Sequence, residues 1–417
     1  MFILAVLLLG FLTLLNYRTG RDVGYPPFLM SGLWLLVMVL YCLAPIRIYA
    51  IGFVTALIFV VTVVSFSAGG LLVFHGRSGS YCQALRTPQG DASPAHPWLK
   101  TVLLLATVIM LPLMFSHASE IVELSGMNDF FTGLRTELSS EDSVAYGVLL
   151  NNAGLLSYFT TFLYAVEVGR GLSGRVQYHL SLLVSLIYAV FSTGRTPVLL
   201  ILLGLTGIAL MRKRLTAFKV IAGVLVFLVF FASFAVILRK GGDPDSTWSE
   251  NIASTRDTLF VYAVGALPAF DRVVRQNAPL ALGENTLSGL FNIFYHLSGH
   301  RLISPIQETV SVPFETNVYT GIQPVYKDFG IVGVVLVFAF IGAATTHFYV
   351  AGARGDRLHM LYYALALFPL VSMLFTDQYF VPFSVWVRLF FAGYLYFRVG
   401  ANVARRSSSH LTQAVHC

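Results

Sequence analysis

Charge is scarce in this sequence. Asp, Glu, Lys and Arg make up 11% of its 417 residues, against about 25% in soluble proteins, so most of the surface cannot face water. Cysteine is nearly absent as well: Cys42, Cys82 and Cys417 are too scattered for a disulfide framework or a metal site. No Gly-x-Ser-x-Gly, P-loop or dinucleotide fingerprint is present, and no cofactor is expected. The formal net charge is +7, but no soluble segment is large enough to bind DNA. Nucleic acid is therefore not an expected partner.

Long apolar runs fill the space that charge leaves, with 56% of residues apolar. About 20 such residues span a bilayer as a helix. Candidate spans fall at 1–16, 27–45, 50–73, 97–115, 145–166, 177–192, 195–211, 216–238, 330–350, 359–376 and 381–399. The pattern predicts an all-α, polytopic transmembrane bundle of about eleven spans with a large, partly helical extracytoplasmic loop. Residues 1–238 hold eight spans and a loop near 116–144. Residues 239–329 form the large loop, 330–399 hold three more spans, and 400–417 form a cytoplasmic tail. Residues 1–16 lack a basic leader and a clear cleavage site, and read as a retained first helix.

Basic residues orient the bundle. One side's short loops and the tail carry 16 of the 27 Lys and Arg, while the other side's short loops carry only Arg47, Arg135 and Arg195. The crowded side is cytoplasmic by the positive-inside rule. The N-terminus and the long segment are then outside and the C-terminus inside. Tyr379, Phe380, Phe383 and Trp386 cluster at the outer end of the last span, where amphipathic rings sit.

The long segment mixes charge with apolar stretches such as Leu259–Val264 and Leu290–Tyr295, the pattern of amphipathic helices lying on a membrane or over a cavity. Arg195, in Thr193-Gly194-Arg195, sits at an outer mouth where its planar fork suits a diphosphate. A snorkelling anchor is the alternative. Gly194 is expected to let the backbone approach closely there. Arg388 lies inside a span, where a charge is a functional candidate or a structural partner of Asp377. Asp243-Pro244-Asp245 matches an Asp-x-Asp pattern, but its Gly and Ser neighbours favour an ordinary turn. His296 and His300 have no third ligand at suitable spacing, so no metal site is expected.

Asn317-Val318-Tyr319-Thr320 and Tyr326-Lys327-Asp328-Phe329-Gly330, which leads into a glycine-bearing span, resemble the Wzy-type O-antigen polymerase family. Arg21-Asp22 followed by Pro26-Pro27-Phe28, then Thr193-Gly194-Arg195 and Gly265–Phe270, fit the same family. Arg272 and Gly283 also enclose ten residues, similar to an Arg-x10-Gly pattern of some members. The resemblance implies an enzyme of the bacterial cytoplasmic (inner) membrane. It would transfer a growing glycan from its polyprenyl diphosphate carrier onto the next lipid-linked repeat unit. A flippase and a chain-length-regulating co-polymerase would be its partners.

The residue types suit that chemistry. A membrane-anchored diphosphate leaving group needs arginines, and the candidates are Arg195, Arg301, Arg272 and Arg256, with Arg388 in the nearby span. A sugar hydroxyl as nucleophile needs a base, for which Asp328, Glu315 and Asp257 are candidates, with His296 behind them. Lys327 and Asp328 can equally form a local charge pair. Tyr295, Tyr319 and Tyr326 can stack on sugar rings or anchor at the interface. Direct attack on the anomeric carbon would invert the linkage. A glycan ligase using the same donor, and a lipid-linked glycan transporter, are the competing readings. Spans nearly free of charge disfavour transport.

Overall fold

The computed structural model describes residues 2–44, 49–76, 97–127, 129–139, 147–168, 171, 174–213, 264–298, 307–312 and 315–399. The expected eighth span (216–238), Asp243 and Asp245, His300 and the tail lie outside these residues. So do three site candidates, Asp257, Arg256 and Arg301. For Arg195 and His296 only the backbone is described.

Most of the described chain is helical. In order come α1 (Phe2–Gly20), α2 (Pro26–Cys42), α3 (Phe53–Gly76), α4 (Pro97–Ser125), α5 (Phe130–Ser139), α6 (Gly147–Val168), α7 (Arg175–Phe191) and α8 (Arg195–Met211). Then follow α9 (Ala266–Gln276), α10 (Ser288–Ser298), the two-residue strands β1 (Val310–Ser311) and β2 (Glu315–Thr316), α11 (Gln323–Ala353), α12 (Arg357–Ser372) and α13 (Phe383–Tyr394), the last prolonged by a π turn, Leu395–Val399. The strands pair antiparallel, Val310 with Thr316 and Ser311 with Glu315.

Four helices, α1, α3, most of α4 and α11, are long and apolar enough to cross a membrane. On α1 the large side chains Ile3, Leu7 and Phe11 are 70, 64 and 64% exposed, a surface that only lipid makes favourable. The chain is thus a multi-pass, all-α membrane protein. Two boundaries differ most from those expected. Helix α4 continues ten residues past 115 to Ser125, because Ser116–Ser125 keeps its intrahelical hydrogen bonds although it is polar. Helix α11 begins at Gln323, within the segment expected as loop.

The described chain divides into two compact units. Unit 1 holds α1–α3, residues 209–350 and the connection 369–386; unit 2 holds residues 88–208, 351–368 and the chain from Val387. In unit 1, Asn16 of α1 is buried and its two amide hydrogens are shared among the Pro27 carbonyl (3.1 Å), Ser31 Oγ (3.2 Å) and Ser67 Oγ (3.0 Å). One side chain thereby pins three helices where water cannot reach. Helices α3 and α11 touch backbone to backbone: a Cβ on Gly69 would lie 1.9 Å from the Ala339 carbonyl oxygen, and one on Gly342 2.0 Å from that of Phe66. Only glycine permits such a crossing. Beside it an open apolar groove of about 460 Å³ runs along Leu72, Val73, Phe340 and Phe348. It lies roughly 25 Å along α3 from Thr55, by helical rise, far from the polar segment.

Candidate functional site

The polar segment of unit 1 is built on α9. This helix is amphipathic, with Leu267, Phe270 and Val274 buried and Arg272 and Arg275 exposed. Asn277 ends it in the left-handed region at φ 44°, which asparagine tolerates. Asp271 falls on the buried face. Its Oδ1 accepts the Gly52 N–H (2.8 Å) and the Thr55 hydroxyl (2.5 Å) at the start of α3, and its Oδ2 pairs with Arg275 at 2.5 Å. A carboxylate at a helix N-terminus satisfies amides that have no partner within the helix. Arg275 also donates to the Ala50 carbonyl at 3.1 Å. Phe270 packs against Phe59 of α3 and meets Tyr326 edge-on, with centroids 5.6 and 5.5 Å away.

The short hairpin docks on this helix. Ala269, Val312 and Tyr319 form a small buried cluster with Val273 and Val310 against it. Arg272 donates to the Ser311 carbonyl at 3.1 Å, and the Tyr319 hydroxyl to that of Glu308 at 2.9 Å. Burial raises the Tyr319 pKa, Glu308 adds to the shift and Arg272 opposes it. The structure therefore brings Arg272, Tyr319 and Tyr326 together around α9. Glu315 is exposed on the hairpin's second strand.

Asp328 is placed by a break in the backbone. Gly330 sits inside α11 at φ 61°, ψ −155°, a region essentially closed to other residues. The interrupted helix leaves the carbonyls of Lys327 and Asp328 to accept the N–H groups of Ala281 (3.0 Å) and Leu282 (3.2 Å). The fully buried Asp328 carboxylate accepts from the Asn285 N–H (3.1 Å to each oxygen), the Asn285 amide (2.6 Å), the Thr286 N–H (2.6 Å) and the Thr286 hydroxyl (2.7 Å). These donors, rather than Lys327, hold it. Gly283, at φ 103°, lets the chain turn between them. Nearby, Tyr295 donates to Glu284 at 2.9 Å, which raises the phenol's pKa.

At the α7–α8 junction the left-handed residue is Thr193, at φ 49°. Among the described residues a Cβ on Gly194 would meet nothing closer than 3.6 Å, so no close packing of the protein itself requires glycine there. In unit 2, Arg388 donates to Asn152 Oδ1. Asp377 instead accepts the N–H groups of Tyr379 (2.9 Å), Phe380 (3.1 Å) and Val381 (3.3 Å).

Asp271 and the pair Asn285-Thr286 are not among the sequence candidates, and Asp377 is there only as a structural partner for Arg388. Asp271 carried a usable signal, being an acid on the apolar face of an amphipathic helix, one turn after Leu267 and three residues before Val274. Asn285 and Thr286 carried none, since their role depends on a partner about 43 residues away. Among the described residues no group of three His, Cys, Asp or Glu is placed to hold a metal ion.

A family model described as "Putative O-antigen polymerase" matches residues 22–373. A curated relative from Shigella dysenteriae, an O-antigen polymerase, is 27% identical over 209 residues, which are 49% of this chain and 51% of that protein. The chain thus matches about half the length of that relative. No solved structure matches.

Proposed function

The chain belongs to the O-antigen polymerase family, and from that premise we propose that it polymerises polyprenyl-diphosphate-linked oligosaccharide repeat units at the outer face of a bacterial cytoplasmic membrane. The family match over residues 22–373 carries this reading. A polar segment that folds into helices and a hairpin over the ends of apolar helices supports it, because a lipid-anchored substrate presents its reacting groups at that boundary.

In the reaction a hydroxyl of the acceptor unit attacks the anomeric carbon of the donor glycan. The new glycosidic bond forms as the bond to the diphosphate breaks, and polyprenyl diphosphate leaves with the electron pair. Attack opposite the leaving group inverts the linkage. Arg272, Arg195, Arg256 and Arg301 hold the diphosphate, whose charge needs guanidinium forks at a partly dry surface. Arg388 and His296 line the approach. Tyr319 and Tyr326 present rings to sugar faces. Glu315 and Asp257 are candidates for the proton acceptor. Asp328, its oxygens already engaged by Asn285 and Thr286, sets the shape of the 281–287 loop. The eleven-span arrangement, with the N-terminus outside and the C-terminus inside, belongs to the same proposal, as do a flippase that delivers repeat units and a co-polymerase that sets chain length.

Deleting the gene and sizing the lipid-linked surface glycan tests the reading. A polymerase defect leaves single repeat units attached to the surface anchor. Long polymer stranded on the carrier would identify a ligase instead, and repeat units trapped inside a transporter.

A further inference from the structure

The connection between α12 and α13 abuts the turn that precedes α11, all within unit 1. The Gly321 N–H donates to the Met373 carbonyl at 2.7 Å. A Cβ on Gly321 would stand 2.9 Å from Met373 Cβ and 3.4 Å from the Thr376 carbonyl oxygen, so the two segments meet without a side chain between them. Three hydroxyls flank this junction: Thr320, Ser372 and Tyr379. Each has a buried oxygen with no hydrogen-bond partner among the described residues, and Thr320 and Ser372 are only 1% exposed. Buried hydroxyls are normally paired, so three at one junction point to a ligand rich in hydroxyl groups or to ordered water.

Asp377 follows directly on Thr376. Its Oδ1 accepts from the N–H groups of Tyr379 and Phe380, while among the described residues its Oδ2 takes only the longer 3.3 Å bond from Val381. The carboxylate is thus oriented by backbone yet keeps acceptor capacity on one oxygen, and the residue is half-buried, not sealed. This contrasts with Asp328, whose oxygens meet four donors in a fully buried setting.

On the polymerase reading, we propose that Asp377 is the general base that takes the proton from the attacking sugar hydroxyl, with the Thr320, Ser372 and Tyr379 hydroxyls beside it as contacts for the acceptor sugar. The proton passes to Asp377 Oδ2 as the acceptor oxygen bonds to the anomeric carbon, and polyprenyl diphosphate departs with the electrons of the broken bond. Burial lifts the Asp377 carboxyl from 3.8 to about 6, against the three backbone N–H groups that pull it down. A base of that strength is mostly ionised at neutral pH and still accepts a proton readily. Among the described residues the titratable group beside it is the phenol of Tyr379 in its own connection. Burial raises that phenol and the Asp377 charge raises it further, so it does not ionise in the working range.

The test uses the full-length protein in lipid nanodiscs with purified lipid-linked repeat units, following chain elongation from pH 5 to 8. The expected results are an acid limb in kcat/KM with an apparent pKa near 6, and a kcat for Asp377→Asn lowered by about 100-fold or more with little change in KM. Asp377→Glu should recover part of the activity with a displaced acid limb. Should Asp377→Asn fail to reach the membrane, the wild-type profile decides, and a flat rate between pH 5 and 7 overturns the assignment. An active wild type whose Asp377→Asn variant stays within about threefold overturns it too, leaving the polymerase reading intact, since general bases contribute more than that. A wild-type protein that elongates nothing overturns both.

Discussion

Asp328 of unit 1 and Glu167 of unit 2 are both fully buried carboxylates, held in opposite ways. Among the described residues Asp328 receives only neutral donors, all from Asn285 and Thr286. Glu167 meets cations: Lys100, itself 3% exposed, pairs with one oxygen, and Arg357 stands 3.6 Å from the other, with the Tyr396 hydroxyl at 3.3 Å. The cationic cluster gathers the start of α4, the end of α6, the start of α12 and the π turn after α13. Charges among apolar helices must be matched by opposite charges, so Glu167 works as a tie between helix ends. A loop that has left its helix instead carries spare amides, and one carboxylate can collect them. The difference teaches that a buried carboxylate joins helix ends where cations meet it, as at Glu167, and shapes a loop where spare amides meet it, as at Asp328.

The sharpest way to break the comparison is to remove one cation. Lys100→Met should lower unfolding stability by about 3–5 kcal/mol, read as the thermal midpoint in detergent, because Glu167 loses its nearest partner. Adding Glu167→Met should restore much of that loss. A double variant no better than the single would show that Glu167 is not a partner of Lys100 in this sense. Asp328→Asn comes next, at about 3 kcal/mol, since charge-assisted bonds are worth about 1.5–3 kcal/mol each and the new amide would point a donor at donors. A variant that melts with the wild type would contradict the neutral-donor cage. Gly330→Ala should cost about 1–3 kcal/mol and favour an unbroken helix, seen as faster proteolysis of the 281–287 loop.

Two smaller effects separate the units by sign. Burial raises Asp377 to about 6, so its contribution is present below the unfolded value of about 4 and lost as pH rises through 6. Burial also pushes Asp356 upward, but His359 and Arg398 outweigh it and hold that carboxyl well below the usual range. Its contribution is present above about 4 and lost as pH falls. Melting midpoints of Asp377→Asn and Asp356→Asn relative to wild type, at pH 7.5 and about 3, should therefore drift in opposite directions. A common drift would refute this division. Arg272→Lys should be the mildest change, within about 0.5 kcal/mol of stability, because the side chain is exposed and gives one bond to Ser311. A large loss of stability would place Arg272 in the core of the hairpin's docking.

Residue composition and order alone determined that the chain is a helical membrane protein, because burying a helix in lipid depends on about 20 consecutive residues and on nothing distant. Sequence also marked Tyr326–Gly330 as special, and its glycine proves to need a conformation closed to other residues. Local pattern misjudged the polar end of α4 and the first turns of α11, since hydropathy follows lipid and not hydrogen bonding. Only the tertiary structure decided what the acids do. Asp328 met Asn285 and Thr286, Asp271 met Gly52 and Thr55, and the connection that leads into Asp377 came to lie, through Met373 and Thr376, against Gly321. Each of these depends on segments brought together by helix packing, and a carboxylate's role follows from the donors around it, which its neighbours in sequence do not specify.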